Sequence, residues 1–535
     1  MKKIILTLAV LTGFSIYAQS PEAFNIEIEP MTITNTPGLH SYTWGMTDDG
    51  KWVIFGGRID GLHERQPFAA FLEAGNNTSV FVIDPVNEEA WSKDLSVLPS
   101  SIFEQLQSTN QQGYQRDSTL YIFGGYGYSA TAGDHITFPN VSAIDLNGLA
   151  DSIIANGNIT SFFRQITDPH FKVTGGQIGY LNSTFYLVGG QLFDGRYNPM
   201  GPNQGPGFTQ EYTDEVRQFE LIDDGTNLTV SNYSAANDVA NLHRRDYNMA
   251  RQIFPTGDTG YTVFSGVFDP NDMPFLNTVD VTTTGYIVNN TFNQYLSQYH
   301  SAKIPIYDST ANAMHTLFFG GMSQFYLDDN NDLIEDTDVP FVKTISRVTR
   351  LNDGTMNETA LHYIEMPALL GAGAEFIPNG DYMYDDDIID IRLVPNSKTL
   401  IGYIYGGIES TDLNIFFVND GTQSSASNTI FKVYINKSTV GLNEYTINGN
   451  SIKSSNIYPN PVKKDVNIDY YVPKNALVKI TIIDTNGKLI MNASEEQLTE
   501  GSYTSTINVS ELSKGIYIVR VDNGIYISNY QFVKK

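Results

Sequence analysis

The sequence predicts an all-β protein, six four-stranded sheets followed by a small β-sandwich, on three observations. A run of β-branched and aromatic residues closed by a glycine pair recurs six times. Each copy has further short strand-like runs around it in the same order, separated by turn residues. Past residue 437 the chain turns polar, then resumes as alternating apolar and polar runs to the C-terminus.

Taken in order, the chain opens on Met1-Lys2-Lys3, an apolar run from Ile4 to Tyr17, and Ala18-Gln19. A basic start, a short apolar stretch and a small residue describe a secretory signal over 1–18. The run is shorter than a bilayer-spanning helix requires, and with no cysteine in the chain there is no lipid-attachment site. Asn25 to Ile33 alternates as a strand.

The glycine-pair phrase then appears as Trp52-Val-Ile-Phe-Gly56-Gly57, Leu120-Tyr-Ile-Phe-Gly124-Gly125 and Phe185-Tyr-Leu-Val-Gly189-Gly190. It returns as Tyr261-Thr-Val-Phe-Ser265-Gly266, Leu317-Phe-Phe-Gly320-Gly321 and Ile401-Gly-Tyr-Ile-Tyr-Gly406-Gly407. A third strand follows each, as at Val80-Phe-Val-Ile-Asp84-Pro85, and a fourth is clearest at Ala90-Trp91-Ser92. The sixth copy lacks a fourth strand of its own. The Asn25–Ile33 strand is therefore predicted to complete it, which closes the ring and removes an exposed edge. Six sheets are expected, with seven as the alternative.

The segment Trp52 to Trp91, with its strand-Gly-Gly, strand-Asp-Pro and final Trp in order, resembles the kelch family. That resemblance covers roughly 24–437 and implies a six-bladed kelch-like β-propeller. It departs from the family pattern at Ser265 and in having only Trp91 at the outer-strand position. Glycines there let blades approach and aromatics fill the space between them.

Residues 438–456 read as a linker. Residues 457–535 open on Tyr458-Pro459-Asn460-Pro461, carry the hairpin Asp484-Thr-Asn-Gly487-Lys and the strand Gly515-Ile-Tyr-Ile-Val-Arg520, and end on Lys534-Lys535. This resembles the type A sorting domain of the type IX secretion system of Bacteroidota. The resemblance implies a small β-sandwich read by the secretion machinery, a secreted or outer-membrane-surface address reached through the periplasm, and attachment of the passenger to lipopolysaccharide after removal of the tail.

Composition narrows the chemistry. A formal net charge of -27 over 535 residues argues against a nucleic-acid partner. The absence of cysteine excludes disulfides, thiolate metal sites and cysteine nucleophiles. It also excludes a galactose-oxidase-like copper centre, which needs a Tyr–Cys cross-link.

Long segments follow the glycine pairs, at 58–77, 126–139, 191–213, 267–275, 322–340 and 408–427, and loops on a rigid scaffold commonly carry function. The expected ligand face is theirs. His243-Arg244-Arg245-Asp246 leads into an inner strand, where guanidinium groups would grip a carboxylate bidentately; equally, they would tie blades together through acidic neighbours. Tyr299-His300 makes the matching approach to the next blade, and His40 and His170 sit near other inner strands. The eight histidines show no HxH or HExxH spacing. Asp328, Asn330, Asp332 and Asp336 place oxygens at alternating positions as a calcium loop does, but Leu333 stands where such loops have glycine; a solvated acidic turn has the same composition.

The expectation is a secreted or surface propeller that binds extracellular glycan or protein. The alternatives are an extracellular carbohydrate-active enzyme, isomerase or hydrolase, with its site in a funnel, and a structural adhesin stiffened by calcium. A hydrolase would need two placed carboxylates, and the sequence does not choose among its many.

Overall fold

The computed structural model describes residues 24–437 apart from 67, 329–331 and 386, then 444–448, 451–452, and 457–535 apart from 473–474, 485–487, 500 and 523–526. The expected signal peptide at 1–18, together with Asn330 and Gly487, lies outside the described residues.

Strands dominate, in antiparallel sheets built in chain order. The first sheet is Thr43–Met46, Trp52–Phe55, Ser79–Asp84 and Glu89–Asp94. The second runs Gln112–Arg116, Thr119–Phe123, Asn140–Asp145 and Phe163–Thr167, and the third Gln177–Leu181, Thr184–Val188, Glu215–Asp223 and Leu228–Asn237. The fourth is Asn248–Ile253, Thr259–Phe264, Thr278–Thr282 and Gly285–Asn289. The fifth is built on Ala302–Asp308, Ala313–Met322, Phe341–Arg350 and Met356–Glu365. The sixth joins Glu375–Pro378, Thr399–Tyr405 and Ile430–Asn436 to the front strand Asn25–Met31, which runs in register from Asn25 opposite Asn436 to Met31 opposite Ile430.

The second strand of each sheet explains the recurring apolar phrase. Every residue of Trp52–Phe55 is buried, because neighbouring sheets cover both faces. Val53, Phe55, Leu120 and Ile122 share one core between sheets one and two, and Tyr121, Phe123, Phe185 and Phe219 another between two and three. Tyr186, Val188, Tyr261 and Val263 join three to four, and Phe264, Phe318 and Val348 join four to five. Leu317, Phe319, Ile404 and Phe431 join five to six, and Trp52, Ile54, Tyr403 and Tyr405 join six back to one.

The glycine pairs sit where these sheets touch. Gly124 and Gly125 have φ of 62° and 101°, and a Cβ on Gly124 would lie 2.0 Å from the Val173 carbonyl oxygen. Only glycine enters that conformation without strain and permits that approach. Ser265, the one substitution in the pattern, holds φ at 51° while its hydroxyl donates to the Phe275 carbonyl at 2.6 Å.

A second device links the inner ends of the sheets. The backbone N–H of Ser41 donates to Gly373, Asn110 to Ser41, Gly175 to Asn110, Asp246 to Gly175, His300 to Asp246 and Gly373 to His300, at 2.8–3.3 Å. These six bonds return to their starting residue.

Two additions sit on the fifth sheet. Met383–Asp385 and Ile388–Asp390, from the connection between the first two strands of sheet six, form a small hairpin, and Ile389 pairs in parallel with Ile306 on the inner edge. On the outer edge Glu444–Asn448, within the expected linker, pairs antiparallel with Met356–Glu365. No helix among the described residues is long and apolar enough to cross a membrane.

The C-terminal unit packs a three-stranded sheet (Ile457–Tyr458, Asp465–Val472, Gly501–Asn508) on a four-stranded one (Leu489–Leu498, Ala476–Asp484, Gly515–Asp522, Ile527–Lys534) around Ile468, Ile480, Val519 and Phe532. The last strand, Ile527–Lys534, is not foreseen from the sequence.

Candidate functional site

The first strands of all six sheets wall a cavity of about 670 Å³. Its lining begins at five of the six ring-bonded residues (Ser41, Asn110, Gly175, Asp246 and His300), descends along the inner strands, and ends at Asp117, Gly380 and Asp387, which are exposed. None of the six long segments after the glycine pairs contributes to the wall. Their aromatics pack on one another instead. His63 meets Tyr197 at 4.6 Å and Phe416 at 5.5 Å between ring centroids, and Phe71 meets Tyr126 at 5.4 Å. The cavity therefore reaches solvent at the hairpin-turn ends of the inner strands, opposite the face expected to bind.

Near the ring the wall is polar. Glu375 Oε1 lies 2.8 Å from His300 Nε2, off the line of a hydrogen bond, and Oε2 lies 3.9 Å from Lys303 Nζ. Burial pushes the Glu375 carboxyl up, but Lys303 and His300 outweigh it and hold the group below the usual carboxylate range. Gln112 is 2% exposed; its amide N–H donates to the Asn110 carbonyl at 2.6 Å, and its Oε1 has no protein partner.

Between the ring and the mouth, Trp44, Ile178, Met249 and Phe376 make an apolar belt. Trp44 is half-buried, its far side packed on the core shared by sheets six and one. At the mouth Arg251 reaches the inserted hairpin, 3.0 Å from Asp385 and 3.8 Å from Asp387, with its Nε unpartnered. Burial works against that guanidinium's charge, while Tyr261, Asp385 and Asp387 favour it and raise its pKa.

Of the residues singled out from sequence, Asp246 and His300 line this cavity. Arg244 does not. It is 1% exposed, donates to the carbonyls of Asn241, Ser265 and Asn277 at 2.7–2.9 Å, and lies 4.0 Å over the Phe275 ring. Arg245 donates to the Tyr212 hydroxyl at 3.0 Å and to the Asp246 carboxylate. His243 pairs with Asp214 at 2.7 Å and stacks on Tyr212 at 3.8 Å. These three groups bind the fold together, as acidic and aromatic neighbours allow. Tyr299 is held by its backbone, whose carbonyl accepts from Asn248 at 2.9 Å. His40 is 5% exposed and burial pushes its imidazole down to about 4, so it is neutral at physiological pH. His170 pairs with Asp168 and packs its ring at a tilt on Tyr233 of the third sheet's outer strand, away from the cavity.

Asp328 and Asp332 bond each other's backbones across the turn of a two-stranded hairpin, and Asp336 accepts from Asn414 at 2.8 Å. No group of three or more potential metal-holding side chains occurs among the described residues. Asp385 and Asp387 are partners of Arg251.

The expected sorting residues are stitched together. Asn460 donates to the Gln531 carbonyl and accepts from Val533 N–H, both at 2.9 Å. Lys535 N–H donates to the Val462 carbonyl at 2.9 Å, Gly515 stands opposite Lys534, and Tyr458 donates to Asp469 at 3.3 Å. Pro459 and Pro461 flank Asn460 in the same opening turn.

Residues 456–535 match the secretion system C-terminal sorting domain family. The chain is thus exported, to the medium or the outer-membrane surface, and its tail is read by the type IX secretion machinery. No curated protein matches the chain. A solved structure of YjhT is similar over 76% of this chain and 98% of its own, at 12% identity and a TM-score of 0.41.

Proposed function

We propose that residues 24–437 form a closed six-bladed kelch-like propeller that, once exported, binds a small polar ligand of carbohydrate type in its central channel. The circuit of six backbone hydrogen bonds and the six successive cores support the closed ring. One observation carries the ligand: a cavity walled by all six sheets that combines an indole platform at Trp44 with a buried amide oxygen on Gln112 lacking a protein partner. Sugars present exactly such mixed surfaces, apolar C–H faces for stacking and hydroxyls for buried polar groups. In this reading the ligand enters at the hairpin-turn face, past Arg251, and the long segments form a roof.

A glycan array probed with the full chain tests it. Binding should fall about tenfold or more in Trp44→Ala, as for removal of a central aromatic anchor, and also in Gln112→Leu. Undiminished binding by both variants, or no binding by the parent, would defeat it.

A second reading draws on the His300, Glu375 and Lys303 group. Proton-transferring side chains within one cavity would serve an isomerase or hydrolase. Turnover of a bound sugar that vanishes in Glu375→Gln while binding persists would select this reading. After export, removal of the tail with attachment to lipopolysaccharide would hold the propeller at the cell surface.

A further inference from the structure

The two outer faces of the C-terminal sandwich differ in kind. On the three-stranded sheet Val466, Ile468 and Tyr470 face the core, so their neighbours in sequence face outward. Those neighbours are polar and paired with each other: Thr506 donates to Asn467 and Thr504 to Asp469, both at 2.7 Å. That face is finished for water.

The four-stranded sheet is not. Ile480, Ile482, Tyr517, Val519 and Phe532 belong to the core or pack on it, which turns Ile483, Ile516, Ile518 and Val533 to the other side. The register sets Ile516 opposite Val533, Ile518 opposite both Gln531 and Ile483, and Ile483 opposite Leu489. Ile516, Val533 and Leu489 are 46%, 38% and 51% exposed, while Ile483 and Ile518 between them are buried. An apolar band thus crosses all four strands. The band leaves apolar surface exposed at its two ends, at Ile516 with Val533 and at Leu489; a sheet face turned to solvent has no use for it, and exposed apolar surface of this kind marks contact sites.

The position of the band names its occupant. Val533 is the residue whose N–H is held by Asn460 of the opening Tyr-Pro-Asn-Pro and whose carbonyl accepts from Val462 at 2.8 Å. The two ends of the sorting sequence therefore meet on the strand that carries one end of the band. We propose that this band is the surface on which the export machinery docks, through an apolar strip of its own. The inference rests on the sorting-domain match and deepens it, by assigning recognition to one face.

The test is export of the full chain from cells that carry the type IX machinery. Paired Ile516→Thr and Val533→Thr keep β-branched side chains in both strands and remove the apolar contact. Paired Ile516→Glu and Val533→Glu add charge. Thr504→Glu with Thr506→Glu alters the polar face. The purified threonine pair should keep the melting transition of the sandwich, yet its amount outside the cell should fall about tenfold, as expected for loss of central contact residues. The polar-face pair should be exported like the parent, and Ile516→Val with Val533→Ile should restore export. Parental export of the threonine pair, or an equal block by the polar-face pair, overturns the proposal. So does a band that instead mediates self-association, seen as a dimer in sedimentation that the glutamate pair dissolves without changing export.

Discussion

Arg350, on the fifth sheet, reaches across to the fourth. Its guanidinium contacts both oxygens of Asp280, at 2.6 and 2.8 Å, and the Thr262 hydroxyl at 3.0 Å, and it lies 5.0 Å over the Phe254 ring. The two side chains are 7% and 11% exposed. Arg350→Met would leave the Asp280 carboxylate buried with Thr262 as a remaining donor. Removing one partner of a buried pair costs about 3–5 kcal/mol, most of it from the stranded charge. For a unit of roughly 400 residues, whose unfolding entropy is about 0.8 kcal/mol per degree, that lowers Tm by about 4–6 °C. Arg350→Met with Asp280→Asn should recover much of the loss, giving a coupling energy above about 1.5 kcal/mol. Urea unfolding followed by tryptophan fluorescence is the assay, since all three tryptophans, at 44, 52 and 91, lie in the first sheet and none in the tail. A cost below about 1 kcal/mol for the single variant, or strict additivity in the pair, would refute the view that adjacent sheets are bolted through this contact.

Ile26, fully buried between sheets five and six, should cost about 2–5 kcal/mol on truncation to alanine, whereas Glu29→Ala on the exposed side of the same strand should leave stability nearly unchanged; equal effects would mean the front strand is not docked. Burial pushes the Glu358 carboxyl up to about 8 from 4.5, against the Tyr295 and Leu296 N–H groups it accepts from. Its unfolded form loses the proton first, so stability is full below about pH 4.5 and falls toward pH 8 by up to about 1.4 kcal/mol per pH unit. Glu358→Gln should flatten that limb in pH-dependent urea titrations. Deleting residues 457–535 should strand the passenger in the periplasm, with fractionation as the readout; surface appearance of the truncated chain would contradict the role of the tail.

The succession of sheets was legible in sequence because its parts are local. Gly124-Gly125 follows directly on the strand it terminates, and the left-handed backbone there favours glycine in every copy, Ser265 alone adopting it in its place. The front strand was legible because Asn25–Ile33 had the right period and the sixth copy lacked a partner. The site was not, because each of its residues comes from a different repeat. Trp44, Gln112, Arg251 and Glu375 stand some 70 to 140 residues apart, and each looks ordinary beside its neighbours in sequence. His300 was found through the shared position at the head of an inner strand. The cluster 243–246 drew attention by charge density, yet Arg244 spends its donors on three carbonyls. Segment length pointed to the face opposite the cavity, where aromatics such as Phe71, Tyr197 and Phe416 close the long segments on one another. The hairpin at 383–390 pairs in parallel with a strand some 80 residues earlier, a contact no local period announces.

The proposed closure of the ring would fix where the channel lies, and amide exchange reads it residue by residue. The N–H groups of Ser41, Asn110, Gly175, Asp246, His300 and Gly373 each donate to the neighbouring sheet. In a closed ring all six exchange slowly, to a similar degree, and lose protection together when residues 25–31 are deleted. Free exchange at Ser41 or Gly373 while the other four stay protected would show an open ring, and the channel would not exist.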